Sequence, residues 1–236
     1  MQPYTFRANG NHAKWTNTTN EMVIRHPRNW VANYGRETIC RDNLKEMTDK
    51  PYFTDGSTID GFMAIAMTKN PSQQTKTICM RSELMVKLQK EKYTNLDRWF
   101  RNKEYRKNSI YDWSQILIPC NIGAHWILIQ VKTDEKLIRI MDPMHSKQLG
   151  EYAKYINRYL ENEHIRLKRP GEMKPFKVKY SLNHPMQMDS YSCGRYVISY
   201  MMSILSNTKY SVTHENVNLF TKFIINEIVE NFEMSK

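Results

Sequence analysis

The chain has 236 residues, of which 40% are hydrophobic and 11% aromatic, enough for a substantial core in one large domain. No apolar run approaches the roughly 18 residues that cross a bilayer, and the start of the chain lacks a signal peptide's apolar core, so we expect a soluble protein of the nucleus or cytoplasm without membrane contact. The 35 Lys and Arg against 24 Asp and Glu give a formal net charge of +11, which attracts acidic partners and predicts weak, non-specific nucleic-acid binding.

The first elements are predicted from polarity and helical spacing. Residues 1–36 are polar and turn-rich, which predicts an N-terminal arm, and residues 37–236 then form one folded domain. Residues 57–68 and 81–91 read as helices, with Ser82 as the cap of Glu83–Leu88. Gln115–Cys120 reads as a strand that ends at Pro119.

A β-hairpin is predicted in the middle of the chain. Asn121–Val131 and Leu137–Pro143 are rich in aliphatic residues and are separated by the polar turn Lys132–Lys136. If Val131 faces Lys136, His125 faces Asp142, with Cβ atoms about 4.5–5.5 Å apart. The predicted hairpin therefore places an imidazole opposite a carboxylate, in a register that a slip of one residue would spoil.

The second half of the chain alternates helical and strand patterns. Ser146 is the expected cap of a helix, a strand follows at Phe176–Ser181, and a last helix opens near Thr213. The apolar positions that share one face of these two helices are Leu149, Tyr152, Ala153, Ile156 and Leu160 in the first, and Val217, Phe220, Phe223, Ile224 and Ile228 in the second. The pattern predicts an α+β fold with a small, mixed, mostly antiparallel sheet flanked by helices.

The run from Gln187 to Cys193 contains two candidate catalytic residues. A mostly apolar stretch of helical length begins at Cys193, with Ser192 or Ser190 available as its cap. The first turn of a helix favours a thiolate, which is the nucleophilic form of cysteine. Cys193, His125 and Asp142 are the parts of a cysteine-protease triad, and Gln187 can donate to an oxyanion.

These residues resemble the ubiquitin-like-specific cysteine proteases, which process and remove SUMO and its relatives. The resemblance lies in His125-Trp126, then Asp142, then Gln187 five residues before Cys193-Gly194, and it extends over about residues 37 to 205. It implies a papain-like, adenain-like fold in which residues 37–236 form the catalytic domain. It also implies that His125 is the general base, that Asp142 orients it, that Cys193 attacks after Gly-Gly, and that Gln187 stabilises the oxyanion.

The resemblance also suggests substrate contacts. Tyr52–Ile59 resembles the family's Trp-Leu-Asn-Asp segment, with Tyr for Trp and one extra residue, so Tyr52 and Asp55 are candidates. Trp126 is expected to be both a core aromatic and a wall of the channel for a Gly-Gly tail. Trp99 is expected to pack under that tail or in the core, and Gly194 to lie beside it.

Three alternatives stay open at this stage. Gly123-Ala124-His125-Trp126 fits an adenain-like viral protease that cleaves viral precursors with nucleic acid as activator, although adenain typically carries Glu at the position of Asp142. A catalytically silent module that binds a ubiquitin-like protein is a second alternative. His145 and His184 are rival bases if the hairpin register is wrong.

Cysteine usage predicts a reducing compartment. The four cysteines lie far apart at positions 40, 79, 120 and 193, with no metal-binding spacing. We therefore expect free thiols, no metal and no cofactor. The expected partner is a SUMO-type ubiquitin-like protein or its conjugates, bound by a monomer.

Overall fold

The computed structural model describes residues 4–10, 13–17, 31–34, 37–48 and 53–233. Its helices are α1 (13–17), α2 (Arg41–Glu46), α3 (Gly56–Thr68), α4 (Leu84–Gln89), α5 (Gly150–Arg166), α6 (Cys193–Ser206) and α7 (Val217–Glu233). Its strands are β1 (Val31–Tyr34), β2 (Glu37–Cys40), β3 (Thr77–Cys79), β4 (Gln115–Asn121), β5 (Trp126–Lys132), β6 (Leu137–Met141) and β7 (Lys177–Ser181). Short 3₁₀ helices lie at Pro71–Gln73, Leu96–Phe100 and Ile110–Asp112.

A five-stranded mixed sheet in the order β3-β4-β5-β6-β7 forms the centre of the fold. The two inner pairings, β4 with β5 and β5 with β6, are antiparallel, whereas the outer strands β3 and β7 run parallel to their neighbours. Strands β1 and β2 form a separate antiparallel pair. The predicted α+β fold with a mixed sheet and flanking helices is confirmed, and most of the paired residues of this sheet are in its two antiparallel pairings.

The central strands are buried on both faces because their side chains alternate between two hydrophobic cores. Leu117, Leu128 and Met141 face the core formed with α3, α6 and α7. Ile116 and Ile129 face the opposite core, formed with α4 and α5. A strand buried on both faces needs a continuous run of apolar residues, which is what β4 and β5 have. Because both faces of these strands are buried, the strand ends have fixed positions. His125 directly precedes β5, and Asp142 directly follows β6.

The register of the central hairpin differs by two residues from the prediction. Val131 pairs with Ile138, not with Lys136, and the turn contains only residues 133–136. Neighbours on one face of a strand are two residues apart, so a shift by two leaves every side chain on its predicted face. His125 and Asp142 therefore lie diagonally across the hairpin, just beyond its paired ends, where long side chains still meet.

The helix predictions are right in position and partly wrong at the ends. Helix α3 matches the expected 57–68 closely. Ser82 does not cap α4, because its backbone N–H and hydroxyl both donate to Asp60, and the helix starts at Leu84. Ser146 does not cap α5, which starts at Gly150; its N–H donates to the Asp142 carboxylate instead.

Two further predicted boundaries, the end of β4 and the start of α7, differ from those in the structure. Strand β4 continues through Pro119 to Asn121. The last helix opens at Val217, four residues beyond Thr213, whose backbone N–H donates to the Asn216 side chain.

Two stretches of the expected N-terminal arm belong to the core. Phe6 is 1% exposed and its ring lies 5.1 Å from that of Phe220 on α7. Trp15 packs edge-on against Phe223, with ring centroids 5.4 Å apart. Residues 4–10 and 13–17 are therefore not a detached arm, as had been expected. The aromatic side chains of Phe6 and Trp15 pack these two stretches against α7. The domain boundary at residue 36 stays a prediction.

Replacing Phe6 by Ala should therefore destabilise the whole domain. The loss of a buried aromatic side chain in a packed core costs about 3–5 kcal/mol of unfolding free energy. Chemical denaturation followed by circular dichroism measures it. Phe53→Ala is the matched control, since Phe53 is 45% exposed and should change stability little. Equal stability of Phe6→Ala and Phe53→Ala would show that the N-terminal stretch is not part of the cooperative core.

Candidate active site

A tight turn between β4 and β5 delivers His125 to one end of the sheet. The N–H of Ile122 donates to the carbonyl of His125 at 2.8 Å, so the chain reverses within four residues. Gly123 in this turn has a φ of +91°, a conformation that side chains other than glycine rarely adopt. His125 directly precedes the first residue of β5 and is thereby fixed next to the end of β6.

His125 and Asp142 form a direct contact. Nε2 of His125 lies 2.6 Å from Oδ1 of Asp142. An ionised carboxylate can only accept, so Nε2 carries the proton of the neutral ring and Nδ1 holds the free lone pair. The Asp142 side chain is 3% exposed and also accepts the N–H groups of Met144 at 2.9 Å and Ser146 at 3.0 Å. The carboxylate is thus buried, satisfied and unable to turn away from the imidazole.

Both members of the pair have shifted pKa values. Burial lowers the pKa of His125, but hydrogen bonds with Asp142 and Cys193 and the charges of both outweigh it and raise the value to about 9 from 6.5. Burial raises the pKa of Asp142, and the hydrogen bonds from His125, Met144 and Ser146 more than offset this, so the net shift is downward. The pair therefore favours an imidazolium beside a carboxylate.

Cys193 is the first residue of α6, and it is close enough to His125 to contribute to the raised pKa of the imidazole. Its side chain is fully buried. The helix start directs unsatisfied N–H groups and the positive end of the helix dipole towards the sulfur, which favours a negative charge there. Since Nε2 faces Asp142, Nδ1 is the ring nitrogen left for the thiol. The structure thus brings together the three residues of the predicted triad.

The start of α6 is organised by Asp189 and not by a serine cap. Ser192 occupies the cap position, but its side chain caps no helical N–H; its hydroxyl donates to Asp189 at 2.7 Å. The Asp189 carboxylate also accepts the N–H groups of Tyr191 and Ser192. Burial raises the pKa of Asp189, and these hydrogen bonds turn the net shift downward. Asp189 was not singled out from the sequence, although an aspartate four residues before the nucleophile is the available signal.

Arg195 is a second residue that sequence reasoning missed. It is 2% exposed, donates to the Ser192 hydroxyl at 3.1 Å, and donates to the carbonyl of Met47 at 2.8 Å. A buried guanidinium is tolerated only when it is paired, and the Asp189 charge acts on it. Arg195 therefore joins α6 to the end of α2.

Gln187 lies in the loop that faces Asp142. Its backbone N–H donates to the carbonyl of Pro143 at 2.9 Å, and its side chain is buried. Nε2 donates to the carbonyl of Asp189 at 2.7 Å, which uses one of its two hydrogens, and Oε1 finds no donor among the residues that the structure describes. One N–H remains for another acceptor, and the role of Gln187 as an oxyanion donor stays a prediction.

Close packing surrounds Cys193 at the start of α6. A Cβ on Gly194 would lie 2.7 Å from Cβ of Thr54 and 3.3 Å from Cδ1 of Trp126, so no side chain fits there. The indole N–H of Trp126 donates to the carbonyl of Thr54 at 2.8 Å. Trp126 is therefore a core aromatic, as expected, and it holds the segment before α3 against the start of α6.

The other predicted substrate contacts have different surroundings. Both carboxylate oxygens of Asp55 bind Thr58, so Asp55 caps α3. Trp99 lines a cavity of about 600 Å³ together with Arg81, Arg98 and Arg101, and Lys87 lies over its ring at 5.2 Å. None of the four predicted catalytic residues lines this cavity. Tyr52 lies outside the described residues.

The rival bases and the other thiols are otherwise engaged. Nε2 of His145 donates to the carbonyl of His184, and Nε2 of His184 donates to the carbonyl of Ser181. All four cysteines are free thiols; Cys40 is exposed, and burial raises the pKa of Cys79 and Cys120 well above the ordinary value. Among the described residues, no group of three or more His, Cys, Asp or Glu could hold a metal ion, and no helix has the length and apolar character to cross a membrane.

Comparison with known proteins gives one family. Residues 57–234 match the Ulp1 protease family, C-terminal catalytic domain. Sentrin-specific protease 3 of Mus musculus is 22% identical over 201 residues, which are 85% of this chain and 34% of that protein. Sentrin-specific protease 5 of Homo sapiens is 23% identical over 214 residues, which are 90% of this chain and 27% of that protein. The chain thus spans about a third of the length of the curated relatives it matches.

Solved structures share the fold. The C-terminal Ulp1 protease domain in complex with Smt3, the yeast ortholog of SUMO, superposes with a TM-score of 0.74 at 19% identity, covering 94% of this chain and 96% of that chain. The Ulp1-like SUMO protease catalytic domain of Chaetomium thermophilum gives 0.73 at 14% identity, covering 100% and 98%. The Ulp1-like fold of the chain follows from these superpositions.

Replacing Asp142 by Asn should lower the pKa of His125 from about 9 towards 6.5. The folded-state value is raised, so the pair contributes stability that is fully present below about pH 6.5 and is lost as the pH rises through about 9. NMR titration of the His125 ring protons measures the shift. Asp134→Asn, in the exposed β5–β6 turn, is the control. An unchanged His125 pKa in the Asp142 variant would contradict the electrostatic coupling.

Proposed function

Because the chain belongs to the Ulp1 protease family, we propose that it is a cysteine protease that cleaves after the Gly-Gly end of a SUMO-type modifier. It matures the modifier precursor or releases the modifier from a substrate lysine. The observation that carries the proposal is the His125–Asp142 contact of 2.6 Å beside a cysteine at a helix start. The sentrin-specific relatives and the Ulp1–Smt3 complex support SUMO as the modifier.

The chemistry follows from the order of the three groups. The Cys193 thiol gives its proton to Nδ1 of His125, which forms the imidazolium that the raised pKa of His125 favours, and the resulting thiolate attacks the carbonyl carbon of the terminal glycine. The imidazolium, held by Asp142, then gives its proton to the leaving amine, and a thioester with Cys193 remains. His125 next deprotonates a water that attacks the thioester, which releases the glycine carboxylate and restores the thiol.

Two N–H groups are suited to the oxyanion of each tetrahedral intermediate. The backbone N–H of Cys193 is among the first N–H groups of α6, which lack a partner inside the helix. The second is the N–H of Gln187 that Asp189 does not use. Donors that meet charge only in the transition state raise the rate without tightening substrate binding.

The tail of the modifier would reach the thiol past Trp126 and Gly194. Both lie against Thr54, in a region so closely packed that residues without side chains suit it best. Phe53 is exposed next to this region, and Tyr52 and Asp55 flank it in sequence. We assign Phe53 to the tail entrance and keep Tyr52 and Asp55 as candidate substrate contacts.

The basic cavity beside Trp99 suits the folded part of the modifier. Three arginines line it, and one of them, Arg101, forms an ion pair with Asp97. A surface of this kind attracts acidic side chains, and it would also attract nucleic acid weakly and without specificity.

The alternatives fit the observations less well. The family match favours a SUMO-type protease over an adenain-like viral protease. A silent binding module has no need for a buried Asp142 that orients His125. Four free thiols suit the reducing interior of the nucleus or cytoplasm. One chain supplies all the site residues, which is consistent with a monomer.

Cleavage assays test the proposal directly. The chain should cleave a SUMO precursor and a SUMO–lysine conjugate after Gly-Gly and leave the ubiquitin counterparts uncut. Cys193→Ala should lose at least about 10³-fold in kcat, since removing a nucleophile leaves only background catalysis. Cys40→Ser, at an exposed thiol, is the matched control. Cleavage of ubiquitin in preference to SUMO, or full activity of Cys193→Ala, would refute the assignment.

Gln187→Ala tests the oxyanion role separately. We expect kcat to fall about 10²–10³-fold with KM nearly unchanged, as for the loss of one oxyanion donor. Steady-state kinetics on the SUMO precursor measure both constants. Met188→Ala, in the next residue, is the control because Met188 is 66% exposed. A rise in KM with unchanged kcat would assign Gln187 to substrate binding instead.

A further inference from the structure

Two loops meet beside the candidate active site and are joined by a pair of histidines. We propose that His145 is a positioning residue: its imidazole fastens the Asp142 loop (residues 142–146) to the Gln187 loop (residues 182–189) and thereby holds the Asp142 carboxylate on His125. The proposal rests on the proposed function of His125 and Asp142. It concerns the side chains of His145 and His184, which take no part in the cleavage chemistry described above.

The Asp142 loop is wound around its own carboxylate. The N–H of His145 donates to the backbone carbonyl of Asp142 at 2.8 Å. On either side of His145, the N–H groups of Met144 and Ser146 donate to the two carboxylate oxygens. His145 has a φ of +57°, a left-handed conformation that costs free energy for most residues. The two N–H donors therefore reach Asp142 only while His145 stays in this turn.

The imidazole of His145 supplies the external anchor for that turn. Its Nε2–H donates to the backbone carbonyl of His184 at 3.0 Å. Its ring also meets the His184 ring edge-to-face, with centroids 4.7 Å apart. A parallel link lies nearby, where the N–H of Gln187 donates to the carbonyl of Pro143. The two loops are thus joined at two points, and one of them depends on a side chain.

His184 is itself firmly held, so it can act as an anchor. It is 6% exposed and its Nε2–H donates to the carbonyl of Ser181, at the end of β7, at 2.9 Å. Its ring lies 4.4 Å from that of Tyr200 on α6, and the Tyr200 hydroxyl donates to Pro185. Burial lowers the pKa of His184, which keeps the ring neutral beside His145.

These contacts connect the nucleophile helix to the carboxylate. The path runs from α6 through Tyr200 and His184 to His145, and from there to Asp142 and His125. Without the His145 anchor, the Gln187–Pro143 hydrogen bond is the link that remains of the two described above between the loops, and the N–H groups of Met144 and Ser146 are no longer held towards the carboxylate. The Asp142–His125 hydrogen bond then weakens, and the raised pKa of His125 falls.

His145→Asn is the test variant, because asparagine tolerates a left-handed φ but its short amide cannot span the gap to His184. NMR titration should place the pKa of His125 between those of the unmodified protein and Asp142→Asn. On the SUMO precursor, kcat should fall about 10-fold with KM unchanged, as expected when a catalytic group is misplaced. His145→Gln, whose longer amide can donate to the same carbonyl, should recover part of both effects.

His164→Asn is the matched control, since Nε2 of His164 also donates to a carbonyl, that of Gly171, at the far end of α5. Thermal unfolding of every variant shows whether it is folded. A His125 pKa in His145→Asn equal to that of the control, or a fall in thermal stability without any pKa change, would overturn the proposal. The NMR measurement needs no substrate, so a protein that fails to cleave SUMO but shows the shift refutes the proposed function alone.

Discussion

The hydrogen bond between His125 and Asp142 is the contact on which the site depends. Burying a carboxylate to 3% exposure is costly unless it is paired and satisfied, and here an imidazole and two backbone N–H groups meet it. The contact fixes which ring nitrogen carries the proton and leaves the other for Cys193. The two hydrophobic cores hold the ends of β5 and β6, and so hold this pair at the start of α6.

The sequence was sufficient for features that depend on periodicity and local order. Strands β4 to β7 and helices α3 and α6 were predicted from the pattern of apolar residues, whereas β1, β2 and β3 were not. The contact of His125 with Asp142 was predicted despite the error in register. That error arose because the turn lies one residue further along the chain than assumed, with Lys132 paired to Leu137. A shift by two residues preserves the face of each side chain, whereas a shift by one would have separated the pair.

Features that depend on distant partners could not be predicted. Ser82 looked like a helix cap, yet it binds Asp60, which lies 22 residues earlier in the chain. Ser146 and Ser192 also looked like caps, but they bind the nearby Asp142 and Asp189, which lie outside the helices. Phe6 packs against Phe220 on α7, more than 200 positions away in the chain, and a local sequence pattern cannot predict such a contact. The anchoring of the Asp142 loop by two histidines is of the same kind, since their separation along the chain hides their contact.

The proposed catalytic residues and the proposed substrate contacts lie in different parts of the molecule. The catalytic residues lie at the ends of β5 and β6, in the Gln187 loop and at the start of α6, whereas the substrate contacts lie around Thr54 and Trp99. One measurement joins them: incubation with SUMO and ubiquitin probes that carry a thiol-reactive C-terminus, followed by mass spectrometry of the adduct. The account predicts a single adduct on Cys193 with the SUMO probe and none with ubiquitin. An adduct on another cysteine, or no SUMO adduct on a Cys193 that small alkylating agents still modify, would contradict it.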